Sequence, residues 1–213
     1  KKAQVDLKTG TSDLSLAAYL AEADIYADLA TGAGHVTVAP WDFSRVNPQT
    51  FSRIRLAVEQ GSRLRIEYRS MRTPEPHART VDPHSLIQAG RRWHMRGYCL
   101  ETSDFRDFVL GRIAKITVLD QRSEHTVTDD SKWNAVVKVR IQAHPKLTPG
   151  QQDLVRSEYF DGTAVRVHSC RGAMLPYLVQ ELRLALDTTK EMPPEYQLAV
   201  ENVKEVRKWL FPA

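Results

Sequence analysis

The sequence predicts an α+β protein built around a small antiparallel β-barrel of SH3-like size, preceded by helices and followed by a small α+β extension. Three observations predict this class. A helix with clear start and stop signals precedes the middle of the chain. The middle itself alternates apolar and polar residues in short runs divided by turn residues, and the last third alternates strands with amphipathic helices. With 213 residues the chain is long enough for one or two domains.

Two helices are expected before the barrel. Residues 13–30 space their leucines and alanines by three and four positions, which predicts a helix with a narrow apolar face, typical of a linker or docking helix. The second helix is expected at about 48–60. Asn47 is its N-cap, Pro48 occupies its first position, and Gly61 stops it.

From Arg63 onward the hydrophobic period changes to two, with Leu64, Ile66, Tyr68 and Ser70 on one face. Pro83 is expected to end the second strand or to place it at an edge of the sheet. The polar segment 120–131 is expected to be a mobile linker. The predicted strands of the barrel are 63–70, 79–83, 93–100, 105–110 and 113–119.

The last third predicts strands at 136–141 and 164–168. Thr148, Pro149 and Gln151 form the start signal of a helix that carries Leu154 and Val155. Two more helices are expected at 173–186 and 202–210. Because this layer is too small to be stable alone, we expect it to pack on the barrel or on a second copy. The predicted divisions are a linker-helix region at 1–46, a barrel domain at 47–128 and an extension at 133–213, which we expect to dimerise.

Composition excludes several classes of protein. Hydrophobic residues make up 42% and charged residues 26%, which is close to the globular average and unlike a disordered chain. No apolar run approaches the roughly 20 residues of a membrane span, and no signal peptide follows Lys1 and Lys2. Two cysteines, Cys99 and Cys170, exclude a disulfide framework. We therefore expect a cytoplasmic protein without membrane contact.

Catalytic and metal-binding patterns are weak. Ser70, Asp82 and His84 are the residue types of a nucleophile triad, but no Gly-x-Ser-x-Gly turn accompanies them. The seven histidines form no pair spaced by four residues and have no cysteine pair beside them. We therefore expect no enzyme activity, no metal and no cofactor.

Charge is concentrated in the middle of the chain. Residues 51–128 carry 14 basic and 9 acidic side chains, and 13 of the 14 are arginines, with Lys115 the single lysine. Arginine offers a planar fork that grips phosphate or carboxylate and stacks on bases. Surface ion pairs remain an equally simple explanation of this bias, so the sequence leaves an anion site and a solvated surface both open.

The middle segment resembles the WYL domain of bacterial transcriptional regulators. The resemblance is carried in order by residues 66–70, 79–86, 92–99 and 105–113, although the eponymous Trp-Tyr-Leu is Trp93-His94-Met95 here. The segment after about residue 133 is similar to the C-terminal extension that often follows this domain. The resemblance implies an SH3-like (Sm-type) barrel that senses a nucleic acid or nucleotide and controls a winged helix-turn-helix, which we expect upstream of this chain. Such regulators are often encoded beside phage-defence systems.

Six residues are the candidates for binding an anionic effector such as an oligonucleotide or nucleotide. The Tyr68 ring can stack on a base, and the Ser70 hydroxyl can donate a hydrogen bond. The His84 ring can donate a hydrogen bond to a phosphate or stack on a base. The other three candidates are arginines at strand ends, at positions where the family pattern has arginine. The candidates are Tyr68, Ser70, Arg79, His84, Arg106 and Arg112, with Trp93 and Phe108 as pocket support. Each has a structural alternative: Tyr68 as a core aromatic, His84 as a capping residue, and the arginines as partners of Asp82, Asp104 or Asp107.

The leading functional hypothesis is therefore the ligand-sensing part of a homodimeric regulator that binds operator DNA through its upstream domain. A second hypothesis is a constitutive single-strand or RNA-binding module that uses the face of Arg63, Arg65 and Arg69. A third is a purely structural dimerisation module.

Overall fold

A computed structural model of the protein describes residues 46–90 and 92–211. The linker helix predicted at 13–30, and with it nearly all of the region 1–46, lies outside these residues. The described residues belong to one compact unit, which begins at Phe43.

Helix α1 (Pro48–Gln60) has the bounds and caps that the sequence predicts. The Asn47 side chain accepts hydrogen bonds from the backbone of Gln49 and Thr50, and Gly61 ends the helix with a φ of 63°. That left-handed conformation is one that glycine adopts without strain. Ile54 and Ala57 are fully buried and seat the helix on the strands that follow.

The strands after α1 form one antiparallel sheet, called here the first sheet. Its core side chains come from alternate strand positions and include Leu64, Ile66 and Met95, all essentially inaccessible to solvent. The strand order is β4-β3-β2-β1-β5. The strands are β1 (Ser62–Tyr68), β2 (His77–Ala89), β3 (Arg92–Cys99), β4 (Asp104–Val109) and β5 (Ile113–Arg122).

The first sheet is strongly curled but is not a closed barrel. A single 3₁₀ turn, Leu110–Arg112, joins β4 to β5, although these strands lie at opposite edges of the sheet. Three residues span only about 10 Å, so the two edges must approach each other at this turn. Among the described residues, however, no strand ladder joins β4 to β5. The prediction of an antiparallel β region is confirmed, and that of a closed barrel is corrected.

Two local predictions in this region are wrong for identifiable reasons. Pro83 does not end a strand, because β2 continues through a register shift between Pro83 and Ser85, which accommodates the missing N–H. Segment 120–131 is not a free linker. Asp82 accepts hydrogen bonds from the backbone N–H groups of Glu124 and His125, and Asp130 is 1% exposed.

The rest of the chain forms the second sheet, with strand order β7-β6-β9-β8 and short helices around it. Thr148 and Gln151 form the predicted capping box, but Leu154 is exposed and only Val155 reaches the core. The helix predicted at 173–186 is shorter because Arg183 has a positive φ and β8 begins directly after it. The elements are α2 (Ser131–Asn134), β6 (Val136–Ala143), α3 (Pro149–Tyr159), β7 (Val165–Arg171), α4 (Leu175–Glu181), β8 (Leu184–Ala185), β9 (Leu198–Val200) and α5 (Val203–Val206), with 3₁₀ turns at Val127–Asp129, Gly172–Met174 and Arg207–Trp209.

Gly97 in β3 is required by close packing against β2. A Cβ at this position would lie 2.5 Å from the carbonyl oxygen of Asp82 and 2.8 Å from the Cα of Pro83, both of them backbone atoms. We expect Gly97→Ala to lower the free energy of unfolding by about 1–3 kcal/mol, the usual cost of overpacking. Urea denaturation measures this loss.

Gly150→Ala is the matched control, because a Cβ there meets nothing within 4 Å and the residue lies in α3. That variant should be neutral or slightly more stable. Equal stability of the two variants would contradict the close approach at Gly97.

Candidate ligand-binding cavity

A cavity of about 550 Å³ lies between the first sheet and the C-terminal elements. One wall consists of residues from β2, β3 and β4, the C-terminal end of β1 and the turn after β4. The other wall comes from the C-terminal part of the chain and consists of Lys132, Ala173, Pro176, Tyr177, Gln180, Trp209, Leu210 and Phe211. The site is therefore formed jointly by the first sheet and the segments around the second.

The structure brings five of the six candidate ligand-binding residues to this cavity. They are separated by as many as 44 positions in sequence. They meet because β1 ends where β2 begins, with Tyr68 paired to His77, and because the turn after β4 returns to β1, where the Arg69 N–H donates to the Arg112 carbonyl. The five are Tyr68, Ser70, Arg79, Arg106 and Arg112, and Phe108 lines the same space. Ser70 does not share the strand face of Tyr68, because β1 ends at Tyr68 and the Ser70 hydroxyl accepts a hydrogen bond from the Thr73 N–H at 2.9 Å.

His84 is not among the residues that line the cavity. Its Nε2 lies 3.1 Å from Asp130 Oδ2, and its Nδ1 lies 2.9 Å from the Ser85 hydroxyl, so both ring nitrogens are engaged. The ring packs edge-on against Phe105 and Trp133. Burial lowers the pKa of His84, although Asp130 opposes this shift. The residue thus joins β2 to the segment before α2.

Trp93 and Phe108 support the fold in different places. Trp93 packs edge-on against Phe51 of α1 at a centroid distance of 5.1 Å and does not line the cavity. Phe108 is 3% exposed and packs edge-on against Tyr68, also at 5.1 Å. Tyr68 is itself largely buried, and its hydroxyl accepts a hydrogen bond from the Val109 N–H at 3.3 Å. Tyr68 and Phe108 together form an aromatic floor.

Three guanidinium groups at the cavity have no partner within the described part of the chain. Arg79, Arg92 and Arg112 line the space, and none of their side chains makes a hydrogen bond or ion pair to residues 46–90 or 92–211. Arg106 is held loosely, with Nε 2.9 Å from the Thr102 hydroxyl and a guanidinium nitrogen 3.9 Å from Asp104. The local charge is therefore strongly positive.

Of the three aspartates considered as partners of these arginines, Asp82 and Asp107 are occupied elsewhere, and Asp104 lies 3.9 Å from Arg106. Asp82 forms a two-point ion pair with Arg63 of β1, at 2.7 and 3.1 Å. Asp107 accepts from Arg96 Nη1 at 2.9 Å and from the Tyr177 hydroxyl at 2.8 Å. Arg79 and Arg112 consequently face the cavity without a carboxylate beside them.

Aromatic rings lie near these cations. In addition to Tyr68 and Phe108, the wall contains Phe105 from β4 and three rings from the C-terminal part, Tyr177, Trp209 and Phe211. Tyr177 and Phe211 pack edge-on at 5.4 Å. A flat ligand that carries negative charge would find both stacking surfaces and cationic partners in this space.

Several site residues were not predicted from the sequence, among them Arg92, His94, Arg96 and Tyr177. His94 occupies the middle position of the Trp-Tyr-Leu motif, and this motif position was the available signal for it. Its ring is 5% exposed and lies 5.0 Å from the ring of Tyr177, and burial lowers its pKa, which favours the neutral imidazole. Arg92 and Tyr177 gave no local signal, because their roles depend on elements that are distant in sequence.

Arg96 connects the cavity to the C-terminal part. It is 4% exposed and contacts both oxygens of Asp130, with Nε at 2.6 Å and Nη2 at 3.0 Å, while its Nη1 holds Asp107. Asp130 also caps α2 by accepting from the Trp133 N–H at 3.0 Å. Burial alone would raise the pKa of Asp130, but the hydrogen bonds from Arg96 and Trp133 outweigh it and hold the pKa below its usual range.

Two family models match the chain in succession. The WYL domain matches residues 49–118, and the C-terminal dimerization domain of the BrxR transcriptional regulator matches residues 136–206. The first range contains most of the first sheet, and the second contains the second sheet. The chain thus contains a WYL domain followed by a BrxR-type C-terminal dimerization domain.

Curated relatives of this WYL-domain chain are named DNA-binding transcriptional repressor CapW. The protein from Escherichia coli (strain KTE188) is 33% identical over 174 residues, which is 80% of this chain and 57% of that protein. The protein from Pseudomonas aeruginosa is 34% identical over 164 residues, 76% of this chain and 54% of that protein. The chain therefore spans little more than half the length of these relatives.

Among solved structures, proteasome accessory factor B/C (PafBC) of Arthrobacter aurescens aligns with a TM-score of 0.37 and 20% identity, over 84% of this chain and 28% of that one. Within the described ranges, no three His, Cys, Asp or Glu side chains cluster as metal ligands, and no helix has the length and hydropathy of a membrane span.

The Arg96–Asp130 pair makes a testable contribution to stability. Asp130→Asn keeps the side-chain shape but leaves Arg96 buried with one carboxylate fewer, so at neutral pH the free energy of unfolding should fall by about 3–5 kcal/mol. The pKa of Asp130 is lower in the folded protein than its unfolded value of 3.8. The ionised carboxylate therefore contributes fully to the free energy of unfolding above that unfolded pKa, and this contribution is lost as the pH falls through the folded-state pKa. The difference between wild type and variant should therefore shrink on acidification below about pH 4.

Denaturant unfolding from pH 7 to pH 2.5 measures this difference. Asp104→Asn is the control, since Asp104 is exposed and its contact with Arg106 is 3.9 Å long, so its cost should stay below about 1 kcal/mol. A difference between wild type and Asp130→Asn that does not change with pH would contradict the charged pairing.

Proposed function

We propose that this chain is the ligand-sensing and dimerising part of a bacterial DNA-binding transcriptional regulator, and that the cavity binds a nucleic-acid or nucleotide effector. One observation carries the proposal: Arg79, Arg92 and Arg112 face one cavity and lack an acidic partner among the described residues. Guanidinium groups gathered without counter-charges repel one another, so an anionic ligand between them would be stabilised.

The size and lining of the cavity support a nucleotide rather than a small inorganic anion. A volume of about 550 Å³ falls in the range of roughly 300–1,000 Å³ typical of ligand pockets. Arginine can grip phosphate oxygens at two points, and aromatic side chains can stack on bases. Phe105, Tyr177 and Trp209 supply such rings in the same space as the arginines.

The regulatory role is supported by the relatives. The curated proteins that align are named DNA-binding transcriptional repressors, and the chain covers only part of their length. Operator binding is therefore proposed for the whole protein through an upstream domain. We propose the linker-helix region 1–46, an SH3-like WYL domain at 47–128 and a dimerising extension at 133–213. The strand order β4-β3-β2-β1-β5, with only three residues between β4 and β5, is consistent with the SH3-like class.

A ligand could act on the C-terminal part through the acids that Arg96 holds. Asp107 accepts hydrogen bonds from both Arg96 and Tyr177, and Arg96 also holds Asp130 at the start of α2. An anion beside these groups would compete with Asp107 for cationic partners. Sensing would then require that the ligand bind two arrangements of these contacts with different affinity.

The alternative of a constitutive single-strand-binding face has less support. Arg63 is 8% exposed and its guanidinium is engaged by Asp82, so it is not part of an open surface. Arg69 is exposed, but its Nε donates to the Pro74 carbonyl. Of the three arginines proposed for that face, only Arg65 is exposed and makes no side-chain hydrogen bond or ion pair to the described residues. A purely structural module would have no need for three unpartnered guanidiniums in one cavity.

Binding of a short fluorescein-labelled, 5′-phosphorylated single-stranded DNA tests the proposal. Arg79→Ala and Arg112→Ala should each weaken binding by about tenfold or more, and each should reduce the slope of log K against log salt by about 1. Fluorescence anisotropy at several salt concentrations measures both. Unlabelled nucleotides and the unphosphorylated strand serve as competitors.

Arg65→Ala is the matched control, because Arg65 is an exposed arginine of β1 that does not line the cavity. It should leave affinity nearly unchanged. A larger loss for Arg65→Ala than for the cavity variants would favour the surface-binding alternative, and no binding of any probe at low salt would refute ligand sensing of this class.

A further inference from the structure

Strand β7 is a free edge of the second sheet. The strand order β7-β6-β9-β8 leaves one side of β7 without a hydrogen-bonded neighbour among the described residues. Its seven residues pair with β6 from Val136↔Arg171 to Gln142↔Val165 without a register shift. An unpaired edge of this length presents a row of backbone donors and acceptors that can pair with another strand.

The other edges are less suited to strand addition. β5 pairs with β1 through two register shifts, which twist and interrupt the strand. β4 lines the ligand cavity with Phe105 and Arg106, and β8 has only two residues. β7 also contains no proline and no bulge, and its protection as an edge is limited to the charges of Arg166 and Arg171.

The middle of β7 is exposed while both of its arginines are held at the ends. The Arg166 guanidinium donates to the Tyr159 carbonyl at 2.9 Å, and that of Arg171 donates to the Trp133 carbonyl at 2.9 Å and lies over the Trp133 ring. Between them, Val167 is 57% exposed, and His168 and Ser169 are exposed as well. The two guanidinium groups are therefore directed away from the exposed middle of the strand.

We propose that β7 pairs with β7 of a second copy, antiparallel and about a two-fold axis at His168, so that the two second sheets become one continuous sheet. This inference rests on the dimerising role proposed above, which makes a second copy of the chain the occupant. The family model that covers residues 136–206 is a dimerization domain, and β7 lies inside that range. In this pairing Val167 lies opposite Ser169 of the other copy, and Arg166 lies opposite its Cys170.

Charge and symmetry favour this register. With the axis at His168, all seven residues pair, and each arginine faces an uncharged residue: Arg166 faces Cys170, and Arg171 faces Val165. A one-residue shift toward the C-terminus would place Arg166 directly opposite Arg171, and like charges directly opposite are destabilising. The same shift would also reverse which side chains share a face across the junction. The two Val167 side chains lie on one face, diagonal to each other.

Disulfide trapping in the full-length chain tests the register. Directly opposed residues of antiparallel strands have Cα atoms about 4.5–5.5 Å apart, within disulfide range. Under mild oxidation with diamide, Arg166→Cys should give a reducible covalent dimer through the native Cys170 of the other copy. His168→Cys combined with Cys170→Ser should also give a covalent dimer, through position 168 of each copy.

Arg166→Cys combined with Cys170→Ser is the control. This double variant lacks the thiol at position 170, and its new cysteine lies four residues away from position 166 of the other copy. It should therefore form no covalent dimer. A dimeric protein in which neither predicted cross-link forms, or in which this control links equally fast, would overturn the proposal. Circular dichroism melting confirms that each variant is folded.

The dimer dissociation constant, measured by analytical ultracentrifugation, gives an independent readout. Val167→Glu places two carboxylates diagonally across the junction and should raise the constant by at least about tenfold. Leu154→Glu is the matched control, since Leu154 is 66% exposed but lies on α3. If Leu154→Glu separates the copies and Val167→Glu does not, the interface is elsewhere and the proposal is wrong.

Discussion

The buried guanidinium of Arg96 is the contact on which the arrangement of the site depends. It holds Asp107 of β4 and Asp130 at the start of α2, so the first sheet and the C-terminal part are joined through one charged side chain. Removing such groups from water is costly, and the cost is offset only because every carboxylate oxygen finds a donor. The Tyr177 hydroxyl donates to the second oxygen of Asp107, and the His84 ring supplies a further hydrogen-bond partner for Asp130. This network also explains why the cavity is cationic: it occupies Asp107, which would otherwise neutralise the neighbouring arginines.

A second two-point ion pair, between Arg63 and Asp82, joins β1 to β2 in the first sheet. Asp82 is fully buried and also receives the backbone N–H groups of Glu124 and His125, which returns the chain to the sheet after β5. The His125 ring stacks on Tyr98 at 3.6 Å. Arg63 and Arg96 are thus held in buried ion pairs, whereas Arg79, Arg92 and Arg112 line the cavity without an ion pair to a described residue.

Local patterns in the sequence predicted the parts of the fold that depend on local physics. The caps at Asn47 and Gly61, the alternation in β1 and the capping box at Thr148 are read within a few residues, and the structure has them all. Contacts between distant residues were not predictable in this way. His84 was grouped with the ligand residues because its partner Asp130 lies 46 positions away. Arg96 and Tyr177 were overlooked for the same reason. The prediction that Pro83 ends the strand was wrong because a register shift accommodates the proline, and alternation of apolar and polar residues does not reveal such a shift. Arg79, Arg106 and Arg112 were predicted only through a family resemblance, since composition alone left ion pairing equally open.

The central claim is that the unpartnered guanidiniums of the cavity bind an anion with phosphate chemistry. Its most direct test is the thermal unfolding midpoint in pyrophosphate compared with chloride at equal ionic strength and pH. A ligand at about 100 times its dissociation constant stabilises the folded state by about 2.7 kcal/mol, and therefore raises the midpoint of a chain of this size by several degrees. The wild type should show this rise, and the Arg79→Ala, Arg112→Ala double variant should lose it. Equal midpoints in the two salts for the wild type, or an undiminished rise in the double variant, would contradict it.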